Sequence, residues 1–355
     1  MTKQSIILGI ESSCDETCCA IINQNGDILA NVIASQASIH APNGGVVPEV
    51  AAREHLSAMR PVITEALKQS GLTLEKINGI AATGGPGLIG GVLIGTMTAK
   101  ALAFARDLPY YAINHLEGHA LTARFTHKLE FPYLLLLVSG GHTQLLSINS
   151  LGQYKRYGTT LDDAAGEAFD KGAKLLGLDY PGGPAIEKCA KTGNPESIKL
   201  PIPRQQYRDC HFSFSGIKTA LANSVSKHSG PIPTADFAAS LQATISNSLI
   251  SRSEIAMERF ASSATSEENK MTFVVAGGVA ANKEIRKNLK SLAESKNFNM
   301  VLPPLEFCTD NAAMIAWVGM EYHMIGKKTE FDFAPKPRWP LDQKASPPPG
   351  RGVRQ

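Results

Sequence analysis

Two histidines stand four residues apart in the segment 114–120, which reads NHLEGHA. On a helix, side chains at positions i and i+4 lie on the same face, one turn apart. Two imidazoles in that arrangement can bind one metal ion and leave its other coordination positions for a distant residue, water or substrate. His115 and His119 are therefore candidate metal ligands, although two structural histidines could have the same spacing.

A third metal ligand has to come from elsewhere in the chain. Asp310 offers a carboxylate at the head of a predicted helix, within the segment 308–313. Two histidines and one carboxylate suit iron(II) in a facial arrangement or catalytic zinc, and the residues do not choose between the two metals. Asp310 could instead be the N-cap of the helix that follows it.

The histidine pair does not have the pattern of a zinc protease. That pattern is His-Glu-x-x-His, in which the glutamate after the first histidine acts as general base. Leu116 occupies that position, and Glu117 lies about 200° around the helix from His115. The sequence thus argues against a metalloprotease.

Two glycine-containing segments could bind an anion. In residues 139–143 (SGGHT), adjacent glycines would let a phosphate or acyl group approach backbone N–H donors, although a tight turn has the same composition. Residues 277–282 (GGVAAN) follow a predicted strand and lead into a helix, whose positive end could meet a nucleotide. Asn282 at the end of that segment can both donate and accept hydrogen bonds.

An acidic stretch precedes a third glycine turn at residues 180–184. Its carboxylates are suited to ribose hydroxyls, but a solvated acidic helix face would look the same. The acidic residues are Asp162, Asp163, Glu167 and Asp170, with Glu187 beyond the turn.

The elements that must position these residues occur twice along the chain. Apolar strands at 5–10 and 18–22 flank the polar turn 11–17, and strands at 133–138 and 144–148 flank the loop 139–143. A strand, a glycine turn and a helix also recur, at 77–105 and again from 272 onwards. The first of these turns, 84–90, has neither the P-loop ending nor the Rossmann spacing. The repetition predicts an α/β fold with two related lobes.

Length and composition agree with a two-lobed globular protein. The chain has 355 residues, a net charge of +3 and no apolar run long enough to span a bilayer, so we expect a cytosolic protein. Its six cysteines lack the spacing of a disulfide framework, a zinc knuckle or a ferredoxin, and we expect buried, reduced thiols.

Positive charge is concentrated after residue 326. This segment contains seven Lys or Arg residues but only three acidic residues. It also contains several prolines and a Pro-Pro-Pro-Gly run. The prolines exclude a continuous helix and predict an extended or disordered tail whose charge could meet phosphates. A solvated tail without a partner is the alternative.

A series of motifs, in order along most of the chain, resembles the TsaD family, the transferases that make N6-threonylcarbamoyladenosine in tRNA and were formerly labelled O-sialoglycoprotein endopeptidases. The end of the chain after Lys344 departs from the family's shorter terminus. The matching motifs are residues 8–17, 40, 44–49, 53–55, 85–90, 114–119, 137–142, 166–171, 180–184, 212–218, 277–282, 308–313 and 336–342.

The resemblance implies the two-lobed actin/hexokinase/Hsp70-like fold, with a nucleotide between the lobes. The corresponding boundaries are residues 1–112 for the first lobe, 113–325 for the second lobe with helical insertions, and 326–355 for the basic tail. The family's substrate is threonylcarbamoyl-adenylate, a mixed anhydride that a separate synthase makes from threonine, bicarbonate and ATP. The implied reaction transfers its acyl group to N6 of the adenosine next to the anticodon in tRNAs reading ANN codons.

The resemblance also implies roles for individual residues. His115, His119 and Asp310 would bind a divalent metal, with Fe²⁺ favoured over Zn²⁺. Glu11 or Asp15 could accept the proton of the attacking amine. The residues implied in binding the acyl phosphate are Leu137, Val138, Ser139, Gly140 and Gly141, and those implied in binding the nucleoside are Asp170, Gly183, Glu187 and Asn282. At position 187 many relatives have Asp.

The partners implied are tRNA, a paralogous subunit of the same fold (TsaB-like), a P-loop ATPase subunit (TsaE-like) and the separate synthase, with no membrane. The location implied is the bacterial cytoplasm, or an organellar matrix in a eukaryote. An ATP-dependent kinase of the same fold would not explain the two histidines and Asp310. A non-catalytic scaffold, the role of the paralogous subunit, would not need them.

Overall fold

The computed structural model of the protein describes residues 4–40, 42, 45–263 and 270–346. These residues form two compact units, the first comprising 4–129 with 309–343, and the second 130–308 with 344–346. The predicted boundaries after residues 112 and 325 differ from these. They differ because the helix after residue 114 and the helix after residue 311 pack against each other and on the first sheet.

The first unit is built on a five-stranded sheet in the order β3-β2-β1-β4-β5. Strands β1, β2 and β3 form an antiparallel meander, while β4 is parallel to β1 and β5 is parallel to β4. The strands are β1 (Ile6–Glu11), β2 (Glu16–Asn23), β3 (Ile28–Ser35), β4 (Gly79–Gly85) and β5 (Tyr110–Asn114).

The second unit repeats this topology, with the order β10-β9-β6-β7-β8. Again three antiparallel strands come first, and the two later strands add in parallel on the other side of the opening strand. The duplicated α/β architecture predicted from the repeated strand–loop–strand units is therefore confirmed. The strands are β6 (Tyr133–Val138), β7 (Thr143–Ser150), β8 (Gln153–Thr159), β9 (Met271–Ala276) and β10 (Phe298–Val301).

Ten α-helices accompany the two sheets within the described residues. The glycine pair at 277–278 does not open an α-helix directly as predicted. Instead a short 3₁₀ turn (Gly278–Ala281) comes first, and the helix starts after Asn282. The helices are α1 (Ala37–His40), α2 (Pro48–Ser70), α3 (Ile89–Ala105), α4 (His115–His127), α5 (Ala165–Leu175), α6 (Gly182–Ala190), α7 (Ser215–Lys227), α8 (Thr234–Ser263), α9 (Lys283–Ser295) and α10 (Ala312–Met324).

Helix α10 lies directly on the first sheet because β1 has a glycine at the contact. A Cβ atom on Gly9 would stand 2.6 Å from the backbone nitrogen of Ala316 and 2.7 Å from the backbone oxygen of Ala312. A Cβ on Gly118 of α4 would likewise stand 3.0 Å from side-chain atoms of α10. Small residues thus bring α4, α10 and the sheet close together.

Much of the basic C-terminal segment is held against the first unit. The backbone N–H of Lys336 donates to the Gly84 carbonyl at 2.8 Å, and that of Thr329 to the Tyr110 carbonyl at 2.8 Å. The described part of this segment has no helix, as the prolines predicted, but it is bound along the first unit, which the sequence did not indicate. Residues 347–355 lie outside the described residues.

All six cysteines are free thiols. Four are buried, as predicted, whereas Cys14 and Cys189 are only half-buried. Among the described residues, no helix has the length and apolarity needed to cross a membrane.

Replacing Gly9 with alanine should lower the free energy of unfolding by about 1–3 kcal/mol, because the added methyl group would push α10 away from β1. Chemical denaturation monitored by circular dichroism measures this change. Gly45→Ala is the matched control, since a Cβ at Gly45 meets nothing within 4 Å. Equal stability of the two variants would contradict the packing described for α10.

Candidate functional site

The carboxyl ends of three parallel strands meet at one edge of the first sheet. Strand β1 ends at Glu11 and β5 at Asn114, and Asn114 is paired with Gly85 at the end of β4. In open α/β sheets, ligands bind just outside such an edge. Helix α4 begins at the same edge, so its first residue, His115, lies beside Glu11.

Asn114 fixes the start of the helix that carries both histidines. Its side-chain oxygen accepts a hydrogen bond from the backbone N–H of Leu116 at 2.9 Å, which is an N-cap interaction. His115 and His119 then stand one turn apart, with ring centroids 4.8 Å from each other. Both side chains are buried, with 7% and 3% of their surface exposed. The helical spacing predicted from the sequence is confirmed.

Asp310 comes next to both imidazoles. Its Oδ1 atom lies 3.4 Å from Nε2 of His115 and 3.2 Å from Nε2 of His119. The N-cap of α10 is the neighbouring residue Asn311, whose side chain accepts a hydrogen bond from the backbone N–H of Met314 at 3.1 Å. The carboxylate of Asp310 therefore faces the histidines and does not cap the helix.

Glu11 holds the ring of His115 from the opposite side. Its Oε2 atom lies 3.0 Å from Nδ1 of His115 and also accepts a hydrogen bond from the Thr83 hydroxyl, while its Oε1 accepts one from the backbone N–H of Ser13. An imidazole that donates from Nδ1 to a carboxylate presents the lone pair of Nε2 to a metal. Glu11 thereby orients a candidate metal ligand.

The charges in this cluster support one another. Burial alone would raise the pKa of Asp310, but His115 and His119 outweigh it and hold that pKa well below its usual range. Burial would lower the pKa of His115, but Asp310 and Glu11 together raise it well above the ordinary value. Burial would likewise raise the pKa of Glu11, but His115 outweighs it and lowers that pKa. Both carboxylates therefore favour positive charge between them.

The three donor atoms fit a divalent metal. His115, His119 and Asp310 each offer one ligand atom, and these atoms lie within 4.8 Å of one another. Ligands about 2.0–2.2 Å from a common ion are separated by about 3.0–3.5 Å, which the two distances to Asp310 match. Three protein ligands leave coordination positions for substrate or water, as in catalytic sites.

The structure separates the two predicted proton acceptors. Glu11 has no exposed surface, and both its oxygens accept hydrogen bonds, so its geometry suits positioning of His115 better than proton transfer. Asp15 is half-buried in the loop between β1 and β2. Its neighbour Glu16 has its pKa raised to about 9, by burial first and by Asp15 second, and so keeps its proton at neutral pH.

The predicted acyl-phosphate loop lies in the second unit. The Leu137 and Val138 side chains are fully buried at the end of β6, so these two residues support the loop and do not offer side chains to a ligand. The backbone N–H of Ser139 donates to the His142 carbonyl at 2.8 Å, which closes a tight turn. Gly140 and Gly141 are exposed at its tip, with nothing within 4 Å of their Cβ positions. An anion can therefore approach the backbone there.

The predicted nucleoside residues gather around α6, also in the second unit. Asp170 on α5 accepts a hydrogen bond from the backbone N–H of Gly182 at 2.7 Å. Glu187 on α6 accepts one from the backbone N–H of Lys283 at 2.9 Å, next to Asn282, which caps α9 through its side-chain oxygen. Gly183 stands at the start of α6, with open space above its Cα atom.

Sequence reasoning missed three residues that position the candidate metal ligands. Ser13 and Thr83 fix Glu11, and Ser13 also contacts Nδ1 of His115 at 3.1 Å through its hydroxyl. Asn114 was the only one with a local signal, because asparagine directly before a helical pattern predicts an N-cap. The contact of Thr83 with Glu11 and that of the Ser13 hydroxyl with His115 depend on strand pairing, which the sequence does not specify.

Comparisons with known proteins add independent evidence. The model of the TsaD family, described as tRNA N6-adenosine threonylcarbamoyltransferase, matches residues 27–317. A protein of that name from Bartonella bacilliformis is 52% identical and one from Brucella anthropi is 51% identical, and each alignment covers 98% of both chains.

Among solved structures, component A of the (R)-2-hydroxyglutaryl-CoA dehydratase of Acidaminococcus fermentans matches with a TM-score of 0.53 at 16% identity. The match covers 90% of this chain and 99% of that chain. At this level of identity it supports the fold alone, and it agrees with the predicted actin/hexokinase/Hsp70-like class.

A His115→Ala, His119→Ala double variant should lose the metal ion that we expect the purified protein to contain, because two of three donors are removed. Elemental analysis by mass spectrometry measures the metal-to-protein ratio and also identifies the metal. His127→Ala is the control, since His127 lies exposed on the same helix. Metal content in the double variant equal to that of the control would rule out these ligands.

Proposed function

The chain belongs to the TsaD family and is a tRNA N6-adenosine threonylcarbamoyltransferase, and from this premise we propose that it works with a divalent metal held by His115, His119 and Asp310. The observation that carries the proposal is the convergence of these three donors, with Glu11 orienting one of them. Two histidines and one carboxylate suit both iron(II) and zinc. We favour iron(II), as the family resemblance implies, and zinc is the alternative.

We propose threonylcarbamoyl-adenylate as the donor and the adenosine next to the anticodon, in tRNAs reading ANN codons, as the acceptor. The N6 amine attacks the carbamoyl carbon, a C–N bond forms, and the C–O bond to the phosphate breaks. AMP leaves with the electron pair of that bond, and the amine gives up a proton. A bound metal would supply Lewis-acid polarisation of the acyl phosphate.

The residues of this chain would bind and orient the substrate. The exposed turn at Gly140 and Gly141 would offer backbone N–H donors to the phosphate. Asp170 and Glu187 would receive the nucleoside near the starts of α6 and α9. Asp15 is the better candidate to accept the proton, because Glu11 is fully buried and occupied.

The two alternative functions are not favoured. An ATP-dependent kinase of the same fold would have no use for the two histidines and Asp310, and the relatives that align over 98% of the chain carry the transferase name. A non-catalytic scaffold would not need Glu11 to orient His115 toward Asp310.

The transferase proposal predicts incorporation of labelled threonine into tRNA. The full chain would be combined with its partner subunits, the separate synthase, ATP, bicarbonate and unmodified tRNA, and the label measured in nucleosides after nuclease digestion. A chelator-treated sample should lose activity and regain it when the metal is restored. Absence of label in the complete reaction would exclude the activity, and full activity without metal would exclude the metal's role.

We further propose that the outer face of α3 binds a paralogous subunit of the same fold. Ile89, Leu93 and Met97 repeat at intervals of four and share one exposed face, and Phe104 extends it with 78% of its surface exposed. Contiguous exposed apolar surface of this kind marks protein interfaces. The P-loop ATPase subunit and the synthase would complete the system, which we place in the cytoplasm.

Met97→Glu should weaken binding of the paralogous subunit at least tenfold, because a charge would be buried in an apolar interface. Isothermal titration calorimetry with the purified subunit measures the dissociation constant. Ile232→Glu, at an exposed position of the second unit, serves as the control for an added surface charge. An unchanged dissociation constant in the Met97 variant would show that the paralogous subunit does not bind this face of α3.

A further inference from the structure

The C-terminal strap, which we define as residues 329–339, crosses the edge of the first sheet where the metal ligands lie. It begins beside β5, where the Thr329 hydroxyl accepts a hydrogen bond from the backbone N–H of Ala112 at 3.0 Å. Farther along, the carbonyl of Phe333 accepts a hydrogen bond from the Lys100 ammonium at 2.5 Å. The strap is therefore anchored by side chains as well as by backbone groups.

The glycine-rich turn after β4 provides the main docking position for the strap. The Gly87 N–H donates to the carbonyl of Pro337 at 3.3 Å, next to the bond between Lys336 and Gly84. A Cβ atom on Gly85 would lie 1.8 Å from the carbonyl oxygen of Lys336. This turn, which lacks the pattern of a phosphate-binding loop, is thus shaped for close approach of another backbone segment.

The strap ends on the residue that starts the metal-binding helix. The side-chain nitrogen of Asn114 donates to the carbonyl of Trp339 at 2.9 Å, while its oxygen caps α4. His115 is the next residue along the chain. Positions 336–339 are consequently fixed close to the candidate metal ligands of the same unit.

Two cations project from this fixed segment. Lys336 and Arg338 are exposed, and the Lys336 ammonium lies 5.3 Å from the ring centre of Phe333 and 4.9 Å from that of Trp339. Prolines at 335, 337 and 340 keep the backbone extended. Within the described part of the chain, neither cation forms a salt bridge, whereas Lys328 pairs with Glu330.

We propose that Lys336 and Arg338 bind backbone phosphates of the tRNA beside the adenosine that is modified. The inference rests on the proposed function, because the acceptor must bring a polyanion to the metal-binding edge. Exposed cations on a fixed backbone segment need no ordering of that backbone when they meet phosphates, and such contacts position a nucleic acid without reading its sequence. In the strap, part of the basic C-terminal segment is therefore held in place for contact with RNA.

The test compares two double variants that each remove two positive charges. Lys336→Ser with Arg338→Ser should weaken tRNA binding and make the slope of log K against log salt concentration shallower by about 1.4–1.8, since each lost phosphate contact changes it by about 0.7–0.9. Lys327→Ser with Lys328→Ser, just before the strap, should leave the slope unchanged. Fluorescence anisotropy with unmodified tRNA and the full chain in complex with its partner subunits measures both.

Swapping the two residues, as Lys336→Arg with Arg338→Lys, keeps both positive charges and should give the salt slope of the wild-type protein. If the side chains had only a structural role, the swapped variant would not recover that slope. The KM for tRNA should rise in the serine variant with little change in kcat. An unchanged slope, or an equal loss in the Lys327/Lys328 variant, would overturn the proposal. Binding is measured without turnover, so a wild-type protein that binds tRNA but transfers no threonine would count against the proposed function alone.

Discussion

The contact between the Glu11 carboxylate and Nδ1 of His115 is the interaction on which the rest of the site depends. It joins the end of β1 to the start of α4, and it directs Nε2 of His115 toward Asp310. Burying the carboxylate would be costly without partners, but Thr83 and the backbone of Ser13 also donate to it. Loss of one partner in a buried charge pair typically costs about 3–5 kcal/mol, so the cluster is strongly held.

Local sequence patterns were enough to identify the candidate metal ligands. The spacing of His115 and His119 is a property of any helix, and a carboxylate at the head of a later helix supplied the third donor. These patterns did not choose between Glu11 and Asp15 as the acceptor of the amine proton, because both residues lie in or beside the same polar turn. Only the parallel pairing of β1, β4 and β5 shows that Glu11 is enclosed by its neighbours.

Sequence reasoning also predicted the duplicated fold from the repeated strand–loop–strand units, and it failed where contacts join distant segments. Residue patterns in the glycine turn at 84–90 and in the basic end of the chain do not indicate that these two segments contact each other. The structure explains the glycine turn and the basic segment together: the absence of a side chain at Gly85 lets the backbone of Lys336 approach, and the strap then continues to Asn114. Neither composition nor periodicity predicts such pairing across some 250 residues of sequence.

The candidate metal ligands and the segments predicted to bind the substrate belong to different units, so different cores position them. His115, His119, Asp310 and the strap all lie in the first unit, so one sheet organises both the proposed metal site and the proposed phosphate contacts. The loop at Gly140 and the residues around α6 are organised by the second sheet in the same way. Each half can therefore be preorganised by its own core, which is the condition for catalysis dominated by positioning and charge stabilisation.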